Sequence, residues 1–268
     1  MGFVAPMIMV GRLALLESDY LLEKFVGLGN FAEAFKDKMF MKSFVNVLIF
    51  VVPLMPITIL LTYGSTSMLT RFSNRTQSVG RFISYLPSLT TGLIVSLLWR
   101  WLLKRDGMIN QYLVSWGLQS VAWLTQPWTA RLSLILVSLS TGPGAFIILC
   151  SAAMKSIPLE LHDQAIVDGA SESQYRRLVV RPLMMPTILL MLLLILVGTM
   201  QSWETIYVLT GEGGPKGSTA TPVYNLFQTA FIWNRPGYAA AKGLILLVVI
   251  GTMVFIKQRI EKWAGAEA

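Results

Sequence analysis

Residues 161–182, LHDQAIVDGASESQYRRLVVRP, carry Asp163, Asp168, Glu172, Arg176, Arg177 and Arg181. They lie between two of the most apolar runs in the chain, LSLILVSLSTGPGAFIILC at 132–150 and LMMPTILLMLLLILVGTM at 183–200. Composition explains the setting. The chain is 54% hydrophobic and only 13% charged, with mean hydropathy +0.61, where soluble domains carry roughly 25% charged residues. So few charges do not cover a water-exposed surface, and the sequence reads as an integral membrane protein.

A spanning helix needs about 20 mostly apolar residues. Segments near 43–70, 82–103, 130–154, 183–206 and 239–257 meet that length, and none alternates as a barrel strand does. Pro53, Pro56, Pro143 and Pro186 fall inside them, which bundles tolerate because neighbouring groups re-satisfy the freed carbonyls. FVAPMIMVGRLALL near the start is short and holds Arg12. It lacks the n-region and cleavage site of a signal peptide. It reads as an interfacial helix or as the end of a truncated first span. The expected fold is all-α: a polytopic transmembrane helical bundle in one domain, 1–268, with five full spans plus that short segment.

Alternation puts 71–81, 155–182 and 257–268 on one side and 17–42, 104–129 and 207–238 on the other. Arg71, Arg75 and Arg81 stand in RFSNRTQSVGR without an acid, and the tail KQRIEKW is basic. Positive-inside bias favours the first set as cytoplasmic, although Lys24, Lys36, Lys38 and Lys42 oppose it. The net charge of +8 is read as loop residues anchoring spans to headgroups, not as a nucleic-acid footprint. A single cysteine, Cys150, excludes an internal disulfide, and one histidine, His162, leaves metal chemistry almost without ligands.

The opening block has its own punctuation. Ser156 and Pro158 are helix-start residues. Gly169 suits the positive φ that follows a helix end. Ser171 with Gln174 makes a capping-box pattern. The expectation is helix, glycine turn, helix, with Leu161, Ala165 and Ile166 near one face and Asp163 and Glu160 elsewhere. Such a hairpin has three possible fates: lying on lipid, remaining a solvated loop, or inserting into a partner. An acidic face disfavours the first.

Several motifs carry a resemblance. Asp163-Gln164-Ala165 stand where a known loop has E-A-A, with Gly169 at its spacing, Val179 at Ile, Arg181 at Leu and Pro182 at Pro. Pro158, Leu161, Ala165, Asp168, Gly169, Ala170 and Ser171 match its wider form P-x-x-L-Y-E-A-A-x-I-D-G-A-S. His162 replaces Tyr, Asp163 replaces Glu, Gln164 replaces Ala, and Arg181 replaces Leu. FVGLGNF, LLWRWLL, GMINQYL, MQSWETIYVLTGEGGPKGST and GYAAAKGLIL follow in order along nearly the whole chain. Together they resemble carbohydrate-type permeases of ABC importers, the maltose-transporter class, whose EAA loop the block matches.

The resemblance implies a permease subunit in a bacterial inner membrane, paired with a second permease and driven by a cytoplasmic ATPase dimer. ATP and Mg would be bound by that ATPase, and no cofactor by this chain. An extracytoplasmic solute-binding protein would deliver a carbohydrate or related polyol. Asp163, Ala165, Asp168 and Gly169, within the loop 156–182, are the candidates for coupling to the ATPase. Gln201, Trp203, Glu204 and Tyr207 cluster at the outer end of one span and are candidates for the substrate path. An interfacial aromatic belt is the commoner explanation of such a cluster. Asn46 and Ser140 are equally candidate interhelical partners.

GEGGPKGST fails the phosphate-loop pattern, because Lys216 precedes Gly217 and no Gly-Lys-Ser/Thr order follows. A stand-alone secondary transporter would need coupling residues and often internal repeats, neither of which is found. A membrane enzyme would need clustered catalytic groups, which the scattered acids do not supply.

Overall fold

The structure, a computed structural model, describes residues 4–18, 23–70 and 72–263. Helices dominate them. They begin with α1 (Val4–Ala14) and a short hairpin, β1 (Leu16–Ser18) with β2 (Glu23–Phe25), pairing Leu16 with Phe25 and Ser18 with Glu23. Then come α2 (Gly29–Lys36), α3 (Lys38–Leu69), α4 (Asn74–Tyr85), α5 (Gly92–Leu102), α6 (Met108–Ser115), α7 (Pro127–Thr141) and α8 (Pro143–Lys155). After α8 the described residues form α9 (Leu159–Val167), α10 (Glu172–Tyr175), α11 (Arg181–Leu183), α12 (Met185–Gln201), α13 (Glu204–Thr210), α14 (Pro222–Phe227), a π-helical turn Gln228–Ile232, and α15 (Pro236–Trp263).

Two helices are long and apolar enough to cross a membrane unbroken, Lys38–Leu69 and Pro236–Lys262. Only 33% and 28% of their most apolar windows are buried within the chain, so most of that surface is left for lipid or another subunit. Asp37 starts α3, its Oδ1 accepting the Met39 and Phe40 N–H groups at 2.9 and 3.0 Å. Pro53 and Pro56 lie inside α3 without ending it.

The other apolar segments depart from the sequence expectation of single helices. Asn74–Leu89 and Gly92–Leu102 meet at 81°, Pro127–Thr141 and Pro143–Lys155 at 47°, and Glu172–Leu183 and Met185–Gln201 at 59°. Counting each bent pair as one crossing gives up to 5 by length and composition. The first break follows a 3-10 turn, Leu86–Leu89, which contains Pro87 and runs into extended backbone at Thr90 and Thr91. The second falls at Pro143, which has no N–H to continue the preceding turn. The third follows a π-helical turn, Arg176–Val180, which inserts an extra residue into the ladder. The segment expected at 183–206 also stops at Gln201, before α13. The polar stretch expected as a connection at 71–81 is largely helical, as the first turns of α4.

The chain forms two compact units: residues up to 52 with 91–137 and 196–252, and residues 53–90 with 138–195 and those from 253 on. The described residues of the stretches that alternation assigns to one side, 17–42, 104–129 and 207–238, all belong to the first unit. The described residues of those assigned to the opposite side belong to the second.

The first unit packs around Phe50, Leu103, Leu134, Ile206, Leu209 and Tyr224. A smaller cluster joins Ala34, Phe40 and Tyr238. The second unit packs Cys150, Val180 and Met184 with Tyr63, Met154 and Tyr175. In that unit α4 lies against α8. A Cβ on Gly144 would meet the Ser84 carbonyl oxygen, so the crossing depends on a residue without one.

Candidate functional site

In the second unit the polar block forms the expected hairpin, and its turn is hydrogen-bonded at both ends. The end of α9 is a Schellman motif. Gly169 N–H donates to the Ile166 carbonyl at 3.0 Å and Ala170 N–H to the Ala165 carbonyl at 2.9 Å, satisfying carbonyls that a helix end leaves open. Gly169 has φ +74°, where a side chain is strained. Ser171 then starts α10 with a full capping box: its N–H donates to Gln174 Oε1 at 2.8 Å, and Gln174 N–H donates back to its Oγ at 3.3 Å. The turn between the two helices therefore has its own hydrogen bonds on both sides.

The faces of α9 differ from the sequence expectation in one respect. Leu161 and Ala165 are half-buried, as expected, but Ile166 is not with them and is 60% exposed. With Leu159, Asp163 and Val167 it makes a single outward face at helical spacing. That face is mainly apolar, Val167 being 86% exposed, and Asp163 is its charge. Asp168 and Gly169 lie exposed at its end. The candidates Asp163, Ala165, Asp168 and Gly169 thus share one hairpin, while Leu159, Ile166 and Val167 were missed. The spacing 159, 163, 166, 167 was the available signal.

Beside the hairpin is a cavity of about 400 Å³, lined by Tyr63 and Ser67 of α3 and by His162, Glu172, Tyr175 and Arg176. His162 Nε2 is 3.5 Å from Glu172 Oε2. Arg176 Nε donates to Glu172 Oε1 at 2.7 Å, and its Nη1 donates to Ser67 Oγ at 2.8 Å.

The other candidates lie in the first unit. The Trp203 ring stacks on Phe227, with centroids 4.5 Å apart and planes at 23°. Tyr207 meets the same ring edge-on at 5.6 Å, and Phe231 continues the row at 5.2 Å. Tyr207 and Phe231 are 48% and 64% exposed, whereas Trp203 packs against the buried core of this unit, so ring surface is open at Tyr207 and Phe231 only. Glu204 goes elsewhere. Its Oε2 would lie 3.6 Å from a Cβ on Gly92, which places the carboxylate by the first residue of α5, where the helix dipole favours an anion. Gln201 ends α12 and is exposed. Of the four, only Trp203 and Tyr207 converge, through Phe227, which sequence reasoning did not single out.

The glycine-rich stretch after α13 is clamped. Asn46 Nδ2 donates to the Gly217 and Ala220 carbonyls, each at 2.9 Å. Arg131 Nε donates to the Ser218 carbonyl at 3.1 Å, and Lys42 Nζ to the Lys216 carbonyl at 2.7 Å. Tyr224 OH donates to the Gly211 carbonyl at 2.7 Å. Burial, reinforced by the Glu212 charge, pushes that phenol up to about 12, so it stays a donor. Asn46 therefore serves this loop and receives a bond from Arg131 Nη2 at 3.3 Å.

A second group missed by sequence reasoning is also here. Lys242 has no exposed surface. Its ammonium donates to Asp37 Oδ2 and Asn225 Oδ1 at 2.8 Å each and to Thr229 Oγ1 at 3.0 Å, and lies 4.1 Å from the Tyr238 ring centre. Arg235 pairs with both Glu33 oxygens, at 2.6 and 2.8 Å.

Comparison with known proteins places this arrangement. Residues 28–264 match the family described as binding-protein-dependent transport system inner membrane component. The probable ABC transporter permease protein YesP of Bacillus subtilis (strain 168) is 30% identical over 237 residues, covering 87% of this chain and 76% of the relative. The lactose transport system permease protein LacF of Rhizobium radiobacter is 27% identical over 254 residues, covering 91% and 84%. The fold is that of a chain in the crystal structure of a bacterial alginate ABC transporter in complex with alginate pentasaccharide-bound periplasmic protein. That match has TM-score 0.80 and 23% identity and covers 100% of this chain and 91% of that one. With nearly all of its length matched and its long helices apolar, the chain belongs to the family of binding-protein-dependent transport system inner membrane components.

Proposed function

We propose that this chain is one half of a permease pair in an ATP-driven importer and forms part of the translocation path for a sugar or related solute. A solute-binding protein outside the membrane delivers the cargo, and an ATPase dimer on the cytoplasmic side holds ATP and Mg. Five passes cross the inner membrane, with the loop 156–182 and the C-terminus cytoplasmic. A docking face with Asp163 at its centre is carried on α9, supported by Ala165, Asp168 and Gly169. The lactose and alginate systems among the similar proteins support a carbohydrate cargo.

The observation that carries this reading is the hairpin itself. Its Schellman turn and capping box stiffen it, while Leu159, Ile166 and Val167 stay exposed. Three apolar side chains beside one carboxylate suit a groove in a protein partner, since helices that lie on lipid usually carry basic polar faces. A helix that transmits force needs both a rigid body and a face with different contacts in two states. On the outer side, Tyr207 and Phe231 leave ring surface exposed beside Phe227 and Trp203, of the kind that packs against sugar rings, while Gln201 is an exposed amide at the end of α12 and Glu204 stands apart by the start of α5.

The test is affinity purification of the tagged chain from its native membrane in mild detergent, with partners identified by mass spectrometry. An ATPase and a second permease should be recovered, and the ATPase should be lost from the Asp163→Lys/Gly169→Ala variant. Recovery of the chain alone, or as a homodimer without ATPase, would reject the reading.

A further inference from the structure

The backbone joins a docked α9 to α8 before it and to α10–α12 after it, but moving α3 needs a contact of its own. In the second unit that contact is polar and continuous. His162, on the half-buried face of α9, has its Nε2 3.5 Å from Glu172 Oε2, and its ring meets Tyr175 edge-on at 4.9 Å. Glu172 Oε1 accepts from Arg176 Nε at 2.7 Å, and Arg176 Nη1 donates to Ser67 Oγ near the end of α3 at 2.8 Å. One guanidinium therefore grips both the hairpin and α3, across 109 residues of sequence.

Stability is not what this contact supplies. Glu172 and Arg176 are 58% and 35% exposed, and ion pairs so open to solvent add little. Direction is a different matter. The planar fork of an arginine fixes the relative orientation of two acceptors, as a lysine's single ammonium does not. Arg176 also opens the π-helical turn that leads toward α12, so its backbone is held by the hairpin's own continuation.

We propose that His162, Glu172, Arg176 and Ser67 form a relay that carries displacement of α9 to the end of α3, with Arg176 as its positioning residue. The proposal rests on α9 being the coupling helix. It assigns to α3 a share in the movement, through a contact of its own with the hairpin.

The test uses the whole transporter, purified with its ATPase. Spin labels are placed at Glu160→Cys on α9 and Thr70→Cys just beyond α3, both exposed positions, while the native Cys150 is buried. The probe is ATP with Mg and vanadate. With the relay intact, trapping leaves the separation of the two labels a single narrow distribution. In Arg176→Ala, and in the milder Ser67→Ala, trapping broadens it about twofold. Arg176→Lys keeps the charge but not the fork, and should broaden it while the ATPase still copurifies, which loss of fold would not allow. Variants as narrow as the parent when the ATPase is present overturn the relay alone. Absence of the ATPase from the parent complex overturns the coupling helix, and the relay with it.

Discussion

Lys242 shows how a single residue can organise an element junction. A buried ammonium is tolerated only when its charge is paired and its protons are all used. Asp37, Asn225 and Thr229 meet both conditions. Lys242→Met removes the cation and leaves the Asp37 carboxylate with Tyr238 OH and two backbone N–H donors. The expected loss is about 3 kcal/mol, read as a lower melting temperature in detergent. Adding Asp37→Asn to that variant removes the stranded charge and keeps an acceptor for the start of α3. The double variant should therefore melt above Lys242→Met alone. If the double melts lower, the pair is not coupled as described.

At the scale of elements, the packing of α4 on α8 turns on one missing side chain. Gly144→Ala drives a Cβ against the Ser84 carbonyl oxygen and to 3.0 Å from the Tyr85 Cα, backbone atoms that do not swing aside. Overpacking of this kind costs about 1–3 kcal/mol. Gly198→Ala, in α12 with nothing within 4 Å of the new Cβ, should be neutral or slightly stabilising. Comparing the two melting temperatures checks the crossing.

The elements also show what a sequence discloses. Apolar runs gave the long helices, because hydropathy acts locally. The hairpin at 159–175 was readable because Gly169, Ser171 and Gln174 act on their own neighbours. Its outward face was misjudged at Ile166, since helical spacing shows which residues group together but not which group faces in. The bends at Thr90, Pro143 and Met184 were only half legible: proline marks a break and says nothing of its angle. The π turns at 176–180 and 228–232 leave no such mark. Lys242 with Asp37, and Arg176 with Ser67, join residues 205 and 109 apart, and no local pattern announces such pairings.

At the scale of the molecule, the charges outside the spans set how it meets acid. The Arg235 hydrogen bond holds the Glu33 carboxyl below its ordinary 4.5, against burial. Burial pushes Asp37 up, but hydrogen bonds from Lys242, the Phe40 N–H and Tyr238, with the Lys242 charge, outweigh it and leave the carboxyl below 3.8. The unfolded chain takes up these protons first as pH falls. The stabilisation is therefore complete above the unfolded values and is lost as pH drops through the lower folded ones. Melting temperature should stay level from neutrality to about 5 and decline below about 4. Glu33→Gln should shrink the decline, and an unchanged acid profile in that variant would remove Glu33 from the account.

The clamp on residues 211–221 has a consequence of a different kind. Lys216 is exposed in the most glycine-rich stretch of the chain, which looks like an open invitation to trypsin. A protease must draw several residues into an extended strand before it cuts. Here the carbonyls of Lys216, Gly217, Ser218 and Ala220 are all held by side chains from distant helices. A nick after Lys216 would have to wait for Lys42, Asn46 and Arg131 to let go together, so in the folded protein this segment should outlast connections that contain far less glycine.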